Sequence, residues 1–135
     1  MSSPVLALRR AILAALAADS ALLSLLGGAH IYDEAPPGVP TPRVAFADVQ
    51  SRDWSAQSST GSEQMLTLTV WSGGRGMRES LDIADRVIAV LDQAPLTLAG
   101  HSLIDLRFIA LATKREQAGR YARADVRFRA TTETI

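Results

Sequence analysis

From Tyr121 onward the chain alternates without interruption: Ala122, Ala124, Val126, Phe128 and Ala130 interleave with Tyr121, Arg123, Asp125, Arg127 and Arg129. Successive side chains of a strand point to opposite faces, so this pattern is satisfied only by a strand with one face in a core and the other carrying charge. A helix would scatter the arginines around its circumference and bury some of them unpaired. The fold must therefore contain a sheet that is covered on one side.

The cover is written elsewhere in the sequence. Ser3 before Pro4 reads as an N-cap followed by a first-turn proline, and Val5, Leu8, Ile12 and Leu16, widened by Leu6 and Leu13, predict an amphipathic helix over residues 4–18. Asp19 or Ser20 caps a second short helix through Leu22, Leu23, Leu25 and Leu26, which Gly27-Gly28 ends because glycine accepts the left-handed cap conformation. Met77, Leu81, Ala84, Ile88 and Leu91, with Ile83 and Val87 beside them, give the clearest helical period in the chain. Arg78 with Asp82, and Asp82 with Arg86, are spaced to pair on its outer face.

Further strands are predicted at Arg43–Val49, at Glu63–Ser72, where Leu66, Leu68 and Val70 alternate with Thr67, Thr69 and Trp71, and at residues 102–113. In the last of these Leu103, Ile109 and Leu111 fall on one face and Ile104, Leu106 and Phe108 on the other. Two apolar faces predict a central strand. Prolines 36, 37, 40 and 42 hold the segment from His30 to Pro42 as a stiff connection. The polar, serine-rich residues 50–63 are expected to form a long mobile hairpin loop, and Gly73-Gly74-Arg75-Gly76 a flexible strand-to-helix turn. The order predicts one α+β domain over residues 1–135: a mainly antiparallel sheet of about four strands with helices packed on one face. At 135 residues one core is sufficient.

Chemistry is harder to place. Fourteen basic side chains balance fourteen acidic ones, and Lys114 is the only lysine, so no strong net field draws the chain to nucleic acid or an anionic membrane. Cysteine is absent, which excludes disulfides, thiolate metal sites and cysteine nucleophiles. The start lacks the charged segment of a signal peptide, and Arg9, Arg10 and Asp19 break the first apolar run before ~20 residues, so a protein that is cytoplasmic when made is expected. The Gly73–Met77 segment lacks the lysine and hydroxyl residue of a phosphate loop. His30 and His101 are isolated and read as surface turn residues, while Asp33 and Glu34 are sequence neighbours that an extended chain points apart. No catalytic, cofactor or metal residue is assigned.

Two features point to protein contact instead. Arg123, Arg127 and Arg129 project from one sheet face, interrupted by Asp125 and without the aromatic platform that nucleic acid binding uses. Trp54, with Arg52 and Asp53 beside it, is a bulky aromatic in a polar loop, suited to a partner surface. The neutral total also conceals a division. Residues 30–63 hold Asp33, Glu34, Asp48, Asp53 and Glu63 against Arg43 and Arg52. Residues 100–135 hold Arg107, Lys114, Arg115, Arg120, Arg123, Arg127 and Arg129 against Asp105, Glu116, Asp125 and Glu133. Separate complementary patches suit head-to-tail contacts, which close into rings when the rotation permits.

An ordered set of short motifs runs along nearly the whole chain: the N-terminal Leu/Ala helix, His30-Ile31-Tyr32-Asp33-Glu34 with Pro36 and Pro42 before Arg43-Val44-Ala45-Phe46, Leu66-Thr67-Leu68-Thr69-Val70-Trp71-Ser72 leading into Gly76 and a helix, Leu98-Ala99-Gly100-His101, and Ala124-Asp125-Val126-Arg127-Phe128-Arg129-Ala130. In this order it resembles the tail-terminator or tail-completion proteins of long-tailed phages and of phage-derived gene transfer agents. The resemblance implies a virion structural protein without catalytic activity or cofactors, forming a homo-oligomeric ring, a hexamer, on the end of the tail tube. Its implied partners are the tube protein and a head-side connector or stopper protein, with DNA only as cargo passing through the ring. A head-to-tail adaptor or stopper of the neck, and a small enzyme or ligand-binding domain, are the alternative readings. The family has no catalytic motif to transfer, so the candidate contacts remain Arg52, Asp53, Trp54, Arg123, Arg127 and Arg129.

Overall fold

The computed structural model describes residues 3–73, 77–117 and 119–135. Two helices, α1 (Pro4–Ala17) and α2 (Ser20–Leu26), precede strands β1 (Ile31–Tyr32), β2 (Arg43–Asp53) and β3 (Gly61–Gly73). Helix α3 (Met77–Leu91) and the long strands β4 (His101–Glu116) and β5 (Tyr121–Thr134) follow. The turn expected at Gly74–Gly76 lies outside the described residues.

Helix ends form where the sequence supplies caps. The Ser3 hydroxyl accepts from the Leu6 N–H at 3.3 Å with Pro4 in the first turn, and the Asp19 carboxylate accepts from the Leu22 N–H at 2.9 Å. Gly27 stands at φ +75°, and the Gly28 N–H reaches back to the Leu23 carbonyl at 3.0 Å, so the last carbonyls of α2 are satisfied. Arg86 does not pair along α3 with Asp82. It makes a bidentate contact of 2.7 Å per bond to Asp19 at the head of α2, because the two helices pack side by side. Arg78 and Asp82 do approach, at 3.9 Å.

The strands form one sheet in the order β1-β2-β3-β5-β4, antiparallel throughout except for the short parallel β1–β2 pair. The fold class is the expected α+β, with five strands where about four are predicted. The added strand is the two-residue β1, which lies within the proline-rich connection and is too short to carry a period. Leu66, Leu68 and Val70 of β3 and Ala124, Val126, Phe128 and Ala130 of β5 are buried against Leu8, Ile12 and Leu16 of α1, Leu22 and Leu26 of α2, and Ile83, Ala84, Val87 and Leu91 of α3. All three helices therefore cover one face. No described element covers the other face, which is bare.

Two sequence expectations change. The strand from residue 101 is not central but lies at the sheet edge, paired only with β5. Its register slips at Leu103/Asp105 and again at Phe108/Ala110, so Ile104 and Ile109 are bulge residues. With those two insertions Leu103, Leu106, Phe108 and Leu111 share the core face, and the apparent second apolar face disappears. The loop expected over residues 50–63 is also shorter. Gln50, Ser51, Arg52 and Asp53 pair with Met65, Gln64, Glu63 and Ser62, leaving residues 54–60 as the connection, because polar side chains are no bar to strand pairing at an open edge.

Candidate functional site

The bare face is built in rows across the strands. One row holds Arg43, Trp71, Arg123 and Lys114; another holds Gln50, Met65, Arg129 and Arg107; Arg52, Glu63, Thr131 and Asp105 follow. Between the large rows lies a shallow hollow of about 590 Å³ floored by Ala47, Thr67, Thr69, Ala110 and Ala112, with Asp48, Asp125 and Arg127 at its rim.

Most of the candidate contacts are already engaged within the subunit. Glu63, although buried, accepts from Arg52 at 2.5 Å and from Arg129 at 2.7 Å. These hydrogen bonds, Arg129 first, hold its carboxyl below the ordinary value of 4.5. Arg123 contacts both Glu116 and Asp125 at 3.2 Å. It also faces the Trp71 ring at 5.7 Å while Arg43 faces it at 5.4 Å, so one indole is flanked by two guanidinium groups. The Asp53 carboxylate closes the end of β2 by accepting from the Ser55 hydroxyl at 2.5 Å. Arg127 differs from its neighbours. It is exposed, and its side chain has no ion pair or hydrogen bond within the described residues.

Trp54 is 43% exposed, and its backbone N–H donates to the Gly61 carbonyl at 3.0 Å. Its ring lies along Gly61, where an added Cβ would come within 3.4 Å of it and within 2.9 Å of the Thr132 carbonyl. A side chain at 61 would force the neighbouring backbone of Thr132 on β5 to shift. The six candidates thus divide between the hairpin end, with Asp53 and Trp54, and the rows of the open face; Arg52 and Arg129 meet on Glu63, which the sequence reading did not single out.

His101 is not a surface residue. It is buried at the start of β4, paired with Thr134 and lining a hollow of about 370 Å³ with Pro4, Thr60, Gly61, Ser62, Thr132 and Thr134. The strand begins one residue earlier than predicted, which turns this side chain inward and Ser102 outward. The two do not converge, and no carboxylate among the described residues lines the hollow. Asp33 pairs with Arg9 at 2.6 Å, and no group of three His, Asp or Glu side chains among the described residues is placed to hold a metal. None of the described helices is long and apolar enough to cross a membrane. The arrangement offers charge and shape for contact.

Comparison with known proteins agrees with that surface. No curated protein matched the chain. A solved structure titled virion of native gene transfer agent (GTA) particle contains a chain 27% identical to this one, with a TM-score of 0.90 over 98% of this chain and 99% of that one. The sequence profile described as tail completion protein gp17 matches residues 10–133. Matched over nearly its whole length, the chain belongs to the tail completion protein gp17 family, structural proteins of phage tails.

Proposed function

We propose that the protein is a tail terminator: a ring of identical subunits that docks on the last layer of the tail tube, blocks addition of the next tube subunit and presents its opposite surface to a head-side connector. The near-complete match to a chain of a gene transfer agent virion supports this reading most strongly. The ring assembles in the bacterial cytoplasm and stays at the head-proximal end of the tail, with DNA passing through it. Its action is geometric, since a modest contact repeated around a ring gives avidity without any single strong site. Arg127, which has no ion pair within the described residues, and the exposed Trp54 belong at subunit or tube contacts.

Deleting the gene tests the proposal. Overlong tube polymers, measured as tail lengths by negative-stain microscopy, are the expected result. Finished tails of normal length beside separate filled heads would instead assign the protein to the neck as an adaptor or stopper.

A further inference from the structure

Strand β4 has the composition of a buried strand and the position of an edge one. Leu103, Ile104, Leu106, Phe108, Ile109 and Leu111 stand within nine residues, without proline or glycine, yet among the described strands β4 pairs only with β5. A flat, apolar edge of that kind offers its outward N–H and C=O groups to a strand of any second copy, which is how sheets aggregate. Three features interrupt it. The ladder to β5 slips at Leu103/Asp105 and again at Phe108/Ala110, and the regular stretch between the two bulges, residues 105–108, is covered from outside by the turn that follows α3.

The cover is shaped for that place. The Gln93 N–H donates to the Leu106 carbonyl at 2.7 Å, and the Asp92 carboxylate accepts from the Phe108 N–H at 2.9 Å. Gln93 stands at φ +58°, in the left-handed region, where the residue just past a helix cap normally turns its N–H back onto the helix carbonyls. Here that N–H goes to the strand instead. A residue with a Cβ is thus held in a conformation that glycine takes at less cost, and the donor it orients closes β4. A strand added antiparallel would need both backbone groups of Leu106 and of Phe108, and one added parallel would need the carbonyl of the first with the N–H of the second. Either sense finds its bonds already made.

We propose that Asp92 and Gln93 form a stop against strand addition, keeping this stretch of β4 in a free subunit from pairing with a strand of a second copy. The bulges work in the same direction, each bending the edge on one side of the stop. Contacts between subunits then run through side chains and other surfaces, not through the backbone of residues 105–108. A subunit that ends a polymer gains from this directly, because copies able to add strands to one another would start one. The stop belongs to the isolated chain and does not depend on the ring reading.

Removing both partners tests it. Asp92→Ala with Gln93→Pro loses the acceptor and the donor, whereas Asp92→Asn with Gln93→Gly keeps an oxygen, an N–H and a residue suited to the left-handed turn. In sedimentation velocity of the purified full chain, the first variant should form species larger than those of the wild type, with the association constant raised about tenfold or more. The second should match the wild type. Gly27→Ala, which loses stability with the turn intact, should match it as well. A folded first variant that sediments as the wild type does, or equal association by either control, would overturn the stop. If the first variant does not fold, Asp92→Ala alone decides: it should speed amide exchange at Phe108 and raise association, and a chain with that amide exposed but no added association would refute the proposal. Tail lengths after gene deletion test the ring reading separately, so the two can fail independently.

Discussion

Arg127 and Arg129 sit two residues apart on one strand face, yet the structure gives them different work. Arg129→Glu breaks the contact with buried Glu63 and should lower the melting temperature of the isolated subunit, since a charge left buried without its partner is costly. Arg127→Glu should change stability by no more than about 0.5 kcal/mol, as for other exposed substitutions, while weakening assembly into particles. Thermal melts beside particle counts separate the two. Equal thermal losses would contradict the division.

Acid should act through the same kind of pairing. Asp19 is held down to about 2 from 3.8, chiefly by the Arg86 hydrogen bonds and also by the Leu22 N–H, and Glu63 is lowered by Arg129 and Arg52. Both are depressed carboxylates, so their stabilisation is complete above their unfolded values and is lost as pH falls through the folded ones. Melting temperature should therefore drop as pH is lowered from 4.5 towards 2, and Asp19→Asn with Glu63→Gln should flatten that slope. An unchanged slope would mean that other groups control acid unfolding.

At the scale of elements, the helices were legible because caps and apolar period agree. Ser3, Asp19 and Gly27 all act where the sequence places them. Gly27→Ala isolates one such signal: a Cβ there meets nothing within 4 Å, so the whole cost, about 1 kcal/mol by chemical denaturation, should come from the left-handed backbone. Strand β4 was misread for a physical reason. A period of two identifies faces only while the ladder is regular, and each bulge moves every later residue to the opposite face. Ile104 and Ile109, the inserted residues, are 49% and 46% exposed, whereas the reading from alternation assigned both to apolar faces. Nor does a polar stretch announce a strand, and the outer half of β2 passed for loop because its partners Ser62, Glu63 and Gln64 are polar as well.

For the molecule as a whole, the acidic excess of residues 30–63 does not become an acidic sheet edge: β2 carries Arg43 and Arg52 against Asp48 and Asp53, and the excess lies at Asp33, Glu34 and Glu63. Which residues are spent on internal pairs was not visible in the order of charges, because Glu63 meets Arg129 only through the β3–β5 register. Of the six candidates, Arg127 and Trp54 are the ones whose side chains have neither an ion pair nor a hydrogen bond among the described residues. Family membership fixes the tail as the setting, and the proposed terminator role predicts a position within it. The most direct measurement is a cryo-electron microscopy reconstruction of the intact particle with this chain placed by its side chains. A tail terminator should be seen as one closed ring of copies seated on the last tube layer, below the head-side connector; copies distributed along the tube, or a ring against the portal with no tube contact, would rule that role out.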